Sequence, residues 1–134
     1  MTLEQEKLEV VEFFEKHLNK LCWLYLCDNT NISVSFFEKH LTTVFFGKLC
    51  WINLCGNTNM PVSFFEKNLD KVDWYILCGN TNMPVSFFEK YLNKVDWSSL
   101  SKNPNVPIRF FEKYLNEIHW GPLSRNTNIP ISFF

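Results

Sequence analysis

The chain has 134 residues, enough for one domain with its own core, and its formal charge of −1 gives no electrostatic reason to expect nucleic acid or an anionic membrane surface as a partner. Aromatic residues make up 17% of it, more apolar surface than a disordered chain carries. No stretch approaches the roughly 18 consecutive apolar residues of a membrane span, and the acidic opening MTLEQEKLEV has no apolar signal core, so the five Cys are expected as reduced thiols in the cytoplasm.

The first predicted element is a long helix. Thr2 and Gln5 have the spacing of a capping box, and Leu3, Val11, Phe14 and Leu18 share one stripe. A polar outer face on this helix would make it the terminal cap of a repeat array. The array itself is announced by Trp23, Trp51, Trp74, Trp97 and Trp120, which step by 28 and then by 23 three times. The Phe pairs at 13–14, 36–37, 64–65, 87–88, 110–111 and 133–134 keep that register, as do Asn pairs at 29/31, 57/59, 80/82, 103/105 and 126/128. Three independent markers with one period identify an internal repeat.

Each unit reads as two short helices. Pro84 is expected at the first position of one that carries Phe87, Phe88 and Leu92, since Pro there loses no needed hydrogen bond. Ser86 and Glu89 would fit a later capping box, but Arg109 replaces that Ser one unit on, which favours the start at Pro. Asp96 is expected as the N-cap of a second helix from Trp97, with Gly56 and Gly79 as C-terminal caps in their own units. The Asn pairs are expected to satisfy backbone groups through Asx turns. Helices this short need their neighbours.

The expected fold is therefore all-α: a right-handed α-solenoid of short helix-turn-helix repeats. It has a capping unit at 1–28, repeats at 29–56, 57–79, 80–102 and 103–125, and a truncated last repeat at 126–134. A leucine-rich β-horseshoe is disfavoured because Asp28, Gly56, Gly79, Lys102 and Arg125 occupy a position that its strand needs apolar.

The 28-residue step comes from five extra residues, Thr42 to Phe46. Insertions in solenoids map to loops, often on the binding face, so Phe45 and Phe46 are candidates for partner contact; inward packing of a lengthened first helix is the plainer alternative. Comparison of the copies adds further candidates. The two residues after each Trp drift most, which nominates Leu24, Tyr25, Ile52, Asn53, Tyr75 and Ile76. The column His17, His40, Asn68, Tyr91 and Tyr114 also drifts. Phe133 and Phe134, with no polar cap after them, are candidates for self-association.

The adjacent Glu-Lys pairs are expected on a solvated face. Cys27, Cys55 and Cys78 share a column with Ser101 and Ser124, while Cys22 and Cys50 share one with Asp73, Asp96 and His119. That exchange fits small residues at helix ends, and C-x4-C is not a zinc spacing. No phosphate loop or catalytic motif occurs, so no catalytic residue, metal site or cofactor is expected.

Units such as Trp97-Ser98-Ser99-Leu100-Ser101-Lys102-Asn103-Pro104-Asn105-Val106-Pro107-Ile108-Arg109-Phe110-Phe111-Glu112-Lys113 resemble the short repeats that pithovirus-like giant DNA viruses encode in many copies. The resemblance covers nearly all of the chain beyond its first dozen residues and departs at the Cys columns, the insertion and the early stop. It implies a repeat protein with no assigned chemistry, in the cytoplasm of an infected cell or in a virion. The function expected from the residues is a non-enzymatic scaffold for protein–protein interaction. Self-association through the C-terminal end is the alternative, and a thiol-based metal or redox site a third option.

Overall fold

The computed structural model describes residues 1–41, 47–130 and 132. Among them lie ten α-helices and no strand: α1 Leu3–Lys16, α2 Trp23–Cys27, α3 Val34–His40, α4 Lys48–Gly56, α5 Val62–Glu66, α6 Trp74–Cys78, α7 Val85–Lys90, α8 Trp97–Lys102, α9 Ile108–Lys113 and α10 Trp120–Ser124. Each odd-numbered helix carries a Phe pair and each even-numbered helix a Trp. The even-numbered helices stack on one another in chain order, α2 on α4, α4 on α6, α6 on α8 and α8 on α10.

Among the described residues no helix after α1 exceeds nine residues, too short to persist alone, so stability comes from the stack. Four columns fill its core. Leu26, Leu54, Leu77, Leu100 and Leu123 are buried, as are both members of the Phe pairs at 36–37, 64–65, 87–88 and 110–111. The residue after each second Asn forms the fourth column, Ile32, Met60, Met83, Val106 and Ile129, all buried. Burial of side chains this size stabilises by about 1.5–3 kcal/mol each, and here the same gain recurs at every junction. The first four Trp each lie flat on the first Phe of the next pair: Trp23 on Phe36, Trp51 on Phe64, Trp74 on Phe87 and Trp97 on Phe110, with centroids 5.7 to 6.0 Å apart.

Backbone hydrogen-bonding explains the Asn columns. The first Asn of each pair accepts from the amide N–H of the second, an Asx turn at 2.9–3.0 Å, as expected. Its side-chain N–H₂ also donates across the junction to the end of the preceding Trp helix. Asn57 reaches the carbonyl of Cys27 (3.0 Å), Asn80 that of Cys55 (2.7 Å), Asn103 that of Cys78 (2.8 Å) and Asn126 that of Ser101 (3.0 Å). The last carbonyls of a helix have no intrahelical partner, and this column supplies one.

Two local expectations are corrected. Pro61, Pro84 and Pro107 are N-caps with extended backbone, and the helix begins one residue later, because the ring fixes φ without requiring a helical ψ. The later capping box at Ser86, disfavoured by Arg109 at that position one unit on, is not formed, and α7 has no side-chain cap. The described glycines have no positive φ, so Gly56 and Gly79 are not left-handed caps: Gly79 closes α6 in a right-handed conformation and Gly56 is the last residue of α4. The room at Gly79 is instead set by packing, since a Cβ there would lie 3.3 Å from the hydroxyl of Ser99. The expected cap at Asp96 is present, and Asp73 caps its own helix in the same way, each accepting from the amide three residues on.

The first helix carries its Thr2–Gln5 capping box and runs through Phe13 and Phe14 as expected, but it ends at Lys16, leaving Leu18 in a 3₁₀ turn. Its faces differ from expectation. Val11, Phe14 and Leu18 pack against the core, but Leu3 is exposed, and the outer surface carries Leu8 and Phe13, each 58% exposed. The cap is amphipathic with an apolar fringe rather than polar outside.

Candidate interaction surface

The drifting positions after each Trp divide into two environments. Tyr25 is 75% and Tyr75 48% exposed. Leu24, Ile52, Asn53 and Ile76 are half-buried. Asn53 donates its side-chain N–H to the carbonyl of Leu24 at 2.9 Å, so it joins α4 to α2. Ile76 packs against the core, its Cγ2 facing Gly56. Asn53 and Ile76, each second after its Trp, therefore contribute to stacking, whereas Tyr25 at that same position of its unit and Tyr75 at the first position stand exposed. Phe45, Phe46, Phe133 and Phe134, together with the rest of the insertion, lie outside the described residues.

Around Tyr75 the surface is concave. A cleft of about 340 Å³ runs between the ends of α4, α6 and α8, with Thr58, Ile76, Asn80 and Lys102 on its walls. Lys102 donates to the Tyr75 hydroxyl at 2.9 Å, with its ammonium 5.1 Å from the ring centroid. The contact holds the tyrosine against the cleft rim, with its ring half in water.

The other drifting column is not a free surface. His40 is buried against the rings of Trp23 and Phe36, while Tyr91 lies against Trp74 and Phe87, and Tyr114 against Trp97 and Phe110. Asn68 instead donates to the Phe64 carbonyl. Position is conserved there by contact with Trp while the residue type varies, which copy-to-copy comparison alone reads as freedom.

Charge is arranged diagonally. Each Lys of a Glu-Lys pair meets the Glu of the preceding Phe helix: Lys39 with Glu15, Lys67 with Glu38, Lys90 with Glu66 and Lys113 with Glu89, at 3.1 to 3.8 Å. The lysines are 60–68% exposed, so each pair is worth no more than about 1 kcal/mol. At the first of these contacts His40 Nε2 also lies 3.1 Å from Glu15. That hydrogen bond, with help from Lys39, holds the Glu15 carboxyl below the usual range despite partial desolvation.

The thiols of Cys27, Cys55 and Cys78 are fully buried. The sulfur of Cys55 accepts from the Asp73 amide at 3.3 Å and that of Cys78 from the Asp96 amide at 3.3 Å; in the next unit Ser101 Oγ accepts from His119 at 3.1 Å. Thiol and hydroxyl do the same work, which accounts for the Cys–Ser exchange along the column. Burial pushes the Cys55 thiol up to about 11 and that of Cys78 to about 12, and that of Cys27 higher still, with the neighbouring Cys50 adding to it. Such groups are poor nucleophiles at neutral pH. Among the described residues no three His, Cys, Asp or Glu side chains converge as metal ligands, and no helix is long and apolar enough to cross a membrane.

Compared with known proteins, the chain matches no family model, no curated protein and no solved structure.

Proposed function

We propose that the chain is a non-enzymatic repeat scaffold that binds a protein partner along its row of Trp helices, with Tyr25 and Tyr75 as the anchors and Leu24, Ile52 and Ile76 as the surrounding apolar floor. The observation that carries this reading is the division of labour among side chains. From Phe36 to Phe111 the repeated Phe pairs, the Trp-helix leucines, the first Asn of each pair and the Glu-Lys pairs join neighbours, while Tyr25 and Tyr75 stand exposed in columns where other units carry Asn53 and Ile76 or Leu24, Ile52, Ser98 and Gly121. Exposed tyrosines on a rigid base suit a protein interface, since they offer large contact area at low entropy cost. The right-handed path of the solenoid belongs to the same reading. So does a place in the cytoplasm of an infected cell or in a virion, which follows from the resemblance to giant-virus repeats.

The test is a capture experiment with wild-type chain and a Tyr25→Ala/Tyr75→Ala variant as baits, with circular dichroism to show that both are folded. Proteins retained by wild type and lost from the double variant are the expected result; identical retention would remove the tyrosine strip from consideration. Light scattering over a hundredfold concentration range, with and without residues 129–134, tests self-association instead. Mass that climbs with concentration and falls on truncation would replace the scaffold reading with assembly through Phe133 and Phe134.

A further inference from the structure

The stack changes its construction once, where the repeat spacing changes from 23 to 28. At later junctions the residue before Trp is an N-cap whose amide donates to the Cys or Ser eighteen positions earlier. At the first junction α4 starts at Lys48, three residues ahead of Trp51, and its N-cap is Gly47. Cys50 is thereby drawn into the first turn of the helix. The register across the junction is otherwise kept, because Asn57 still reaches the Cys27 carbonyl and Asn53 the Leu24 carbonyl. The side chain facing the buried Cys27 sulfur is therefore a second thiol, that of Cys50, which is half-exposed.

We propose that Cys27 and Cys50 form a reversible disulfide that fastens α2 to α4 at the one junction where the repeat is interrupted. The oxidant is a low-molecular-weight disulfide of the glutathione class. The Cys50 thiolate, the member of the pair that solvent reaches, attacks one sulfur of that disulfide and expels the other as a thiolate. The expelled thiolate takes the proton of Cys27. The Cys27 sulfur then attacks the Cys50 sulfur of the mixed disulfide and displaces the second small thiolate, which is protonated by the proton Cys50 lost at the start. Two protein thiols and one small disulfide become one protein disulfide and two small thiols. Cys27 cannot open the sequence, being fully buried with its thiol held protonated.

The experiment uses the full chain carrying Cys22→Ser, which removes the exposed thiol, titrated with mixtures of reduced and oxidised glutathione. Intact mass and peptide mapping give the readout. The expected result is loss of two hydrogens, a linked pair of peptides containing Cys27 and Cys50, and recovery of the starting mass with dithiothreitol. A Cys27→Ser variant in that background should keep its fold, since Ser101 fills the same column position in another unit, and should stop at a glutathione adduct on Cys50. A stable adduct at Cys50 when Cys27 is present, a linkage to Cys55 or Cys78, or no change of mass in fully oxidised buffer would each overturn the proposal.

Discussion

The asparagines at 57, 80, 103 and 126 are buried polar groups whose every hydrogen bond has a purpose: the oxygen holds a turn and the N–H₂ crosses to the preceding helix end. Replacing Asn80 by Asp keeps the shape and the turn but removes the donor and sets a carboxylate against the Cys55 carbonyl. We expect Asn80→Asp to cost about 2 kcal/mol or more in urea unfolding and Asn82→Asp, on the exposed rim, less than about 0.5 kcal/mol. Equal losses would mean that the junction bond contributes nothing. The buried thiols make a second prediction at this scale. An unfolded thiol ionises near 9, whereas Cys78 in the fold holds its proton to about 12. Across that window the unfolded chain gives up a proton that the folded chain keeps, so stability falls as pH rises from about 9 towards 12. With dithiothreitol present, Cys78→Ser should flatten part of that decline in urea midpoints, and an unchanged slope would show that the thiol is not sealed from water.

At the scale of the element, the repeat period, the two-helix unit, the Asp caps and the long first helix were legible from spacing alone. The positions of the prolines and glycines were not, because both residues are compatible with more than one cap geometry and the choice is made by ψ, which the sequence does not display. The column Ile32, Met60, Met83, Val106 and Ile129 was legible in principle as an apolar residue three after every first Asn. It was hidden because the connection was read for its Asn turns alone. Tyr91 and Tyr114 drifted in type yet were held by Trp, so variability among copies overstated the free surface, while Tyr25 and Tyr75 were found where drift and exposure coincide. Gly56 illustrates the consequence of the corrected caps. Its φ is negative and a Cβ would meet Ile76 Cγ2 at an ordinary 3.5 Å. Gly56→Ala is therefore expected to stabilise by about 0.4–1 kcal/mol through the unfolded chain, where a left-handed cap would have lost stability. The attachment of α1 to α3 is predicted to be acid-sensitive. The Glu15 carboxyl titrates below its unfolded value, so its contribution is present above the unfolded carboxylate range and is lost as pH falls through the folded pKa. Glu15→Gln should lower stability at neutral pH and narrow the difference from wild type in acid, as read by urea midpoints at both pH values.

For the whole molecule, equivalence of the junctions is the governing fact. Removing residues 80–102 joins Gly79 to Asn103 and lets the repeated junction contacts re-form with the same residue types: Asn103 to the Cys55 carbonyl, Trp74 on Phe110 and Lys113 to Glu66. The shortened chain is expected to fold cooperatively with a smaller urea m-value and lower stability, in keeping with a nearest-neighbour sum. Loss of cooperative unfolding would mean that the stack depends on contacts beyond adjacent units. The diagonal pairing of Glu and Lys has a bearing on growth. A straight ladder would set each new Glu beside an old Glu and each new Lys beside an old Lys, so that self-repulsion mounted with every copy added. Offsetting the columns by one unit makes each added boundary its own counter-ion, and the electrostatic cost of lengthening stays local however many copies a gene accumulates.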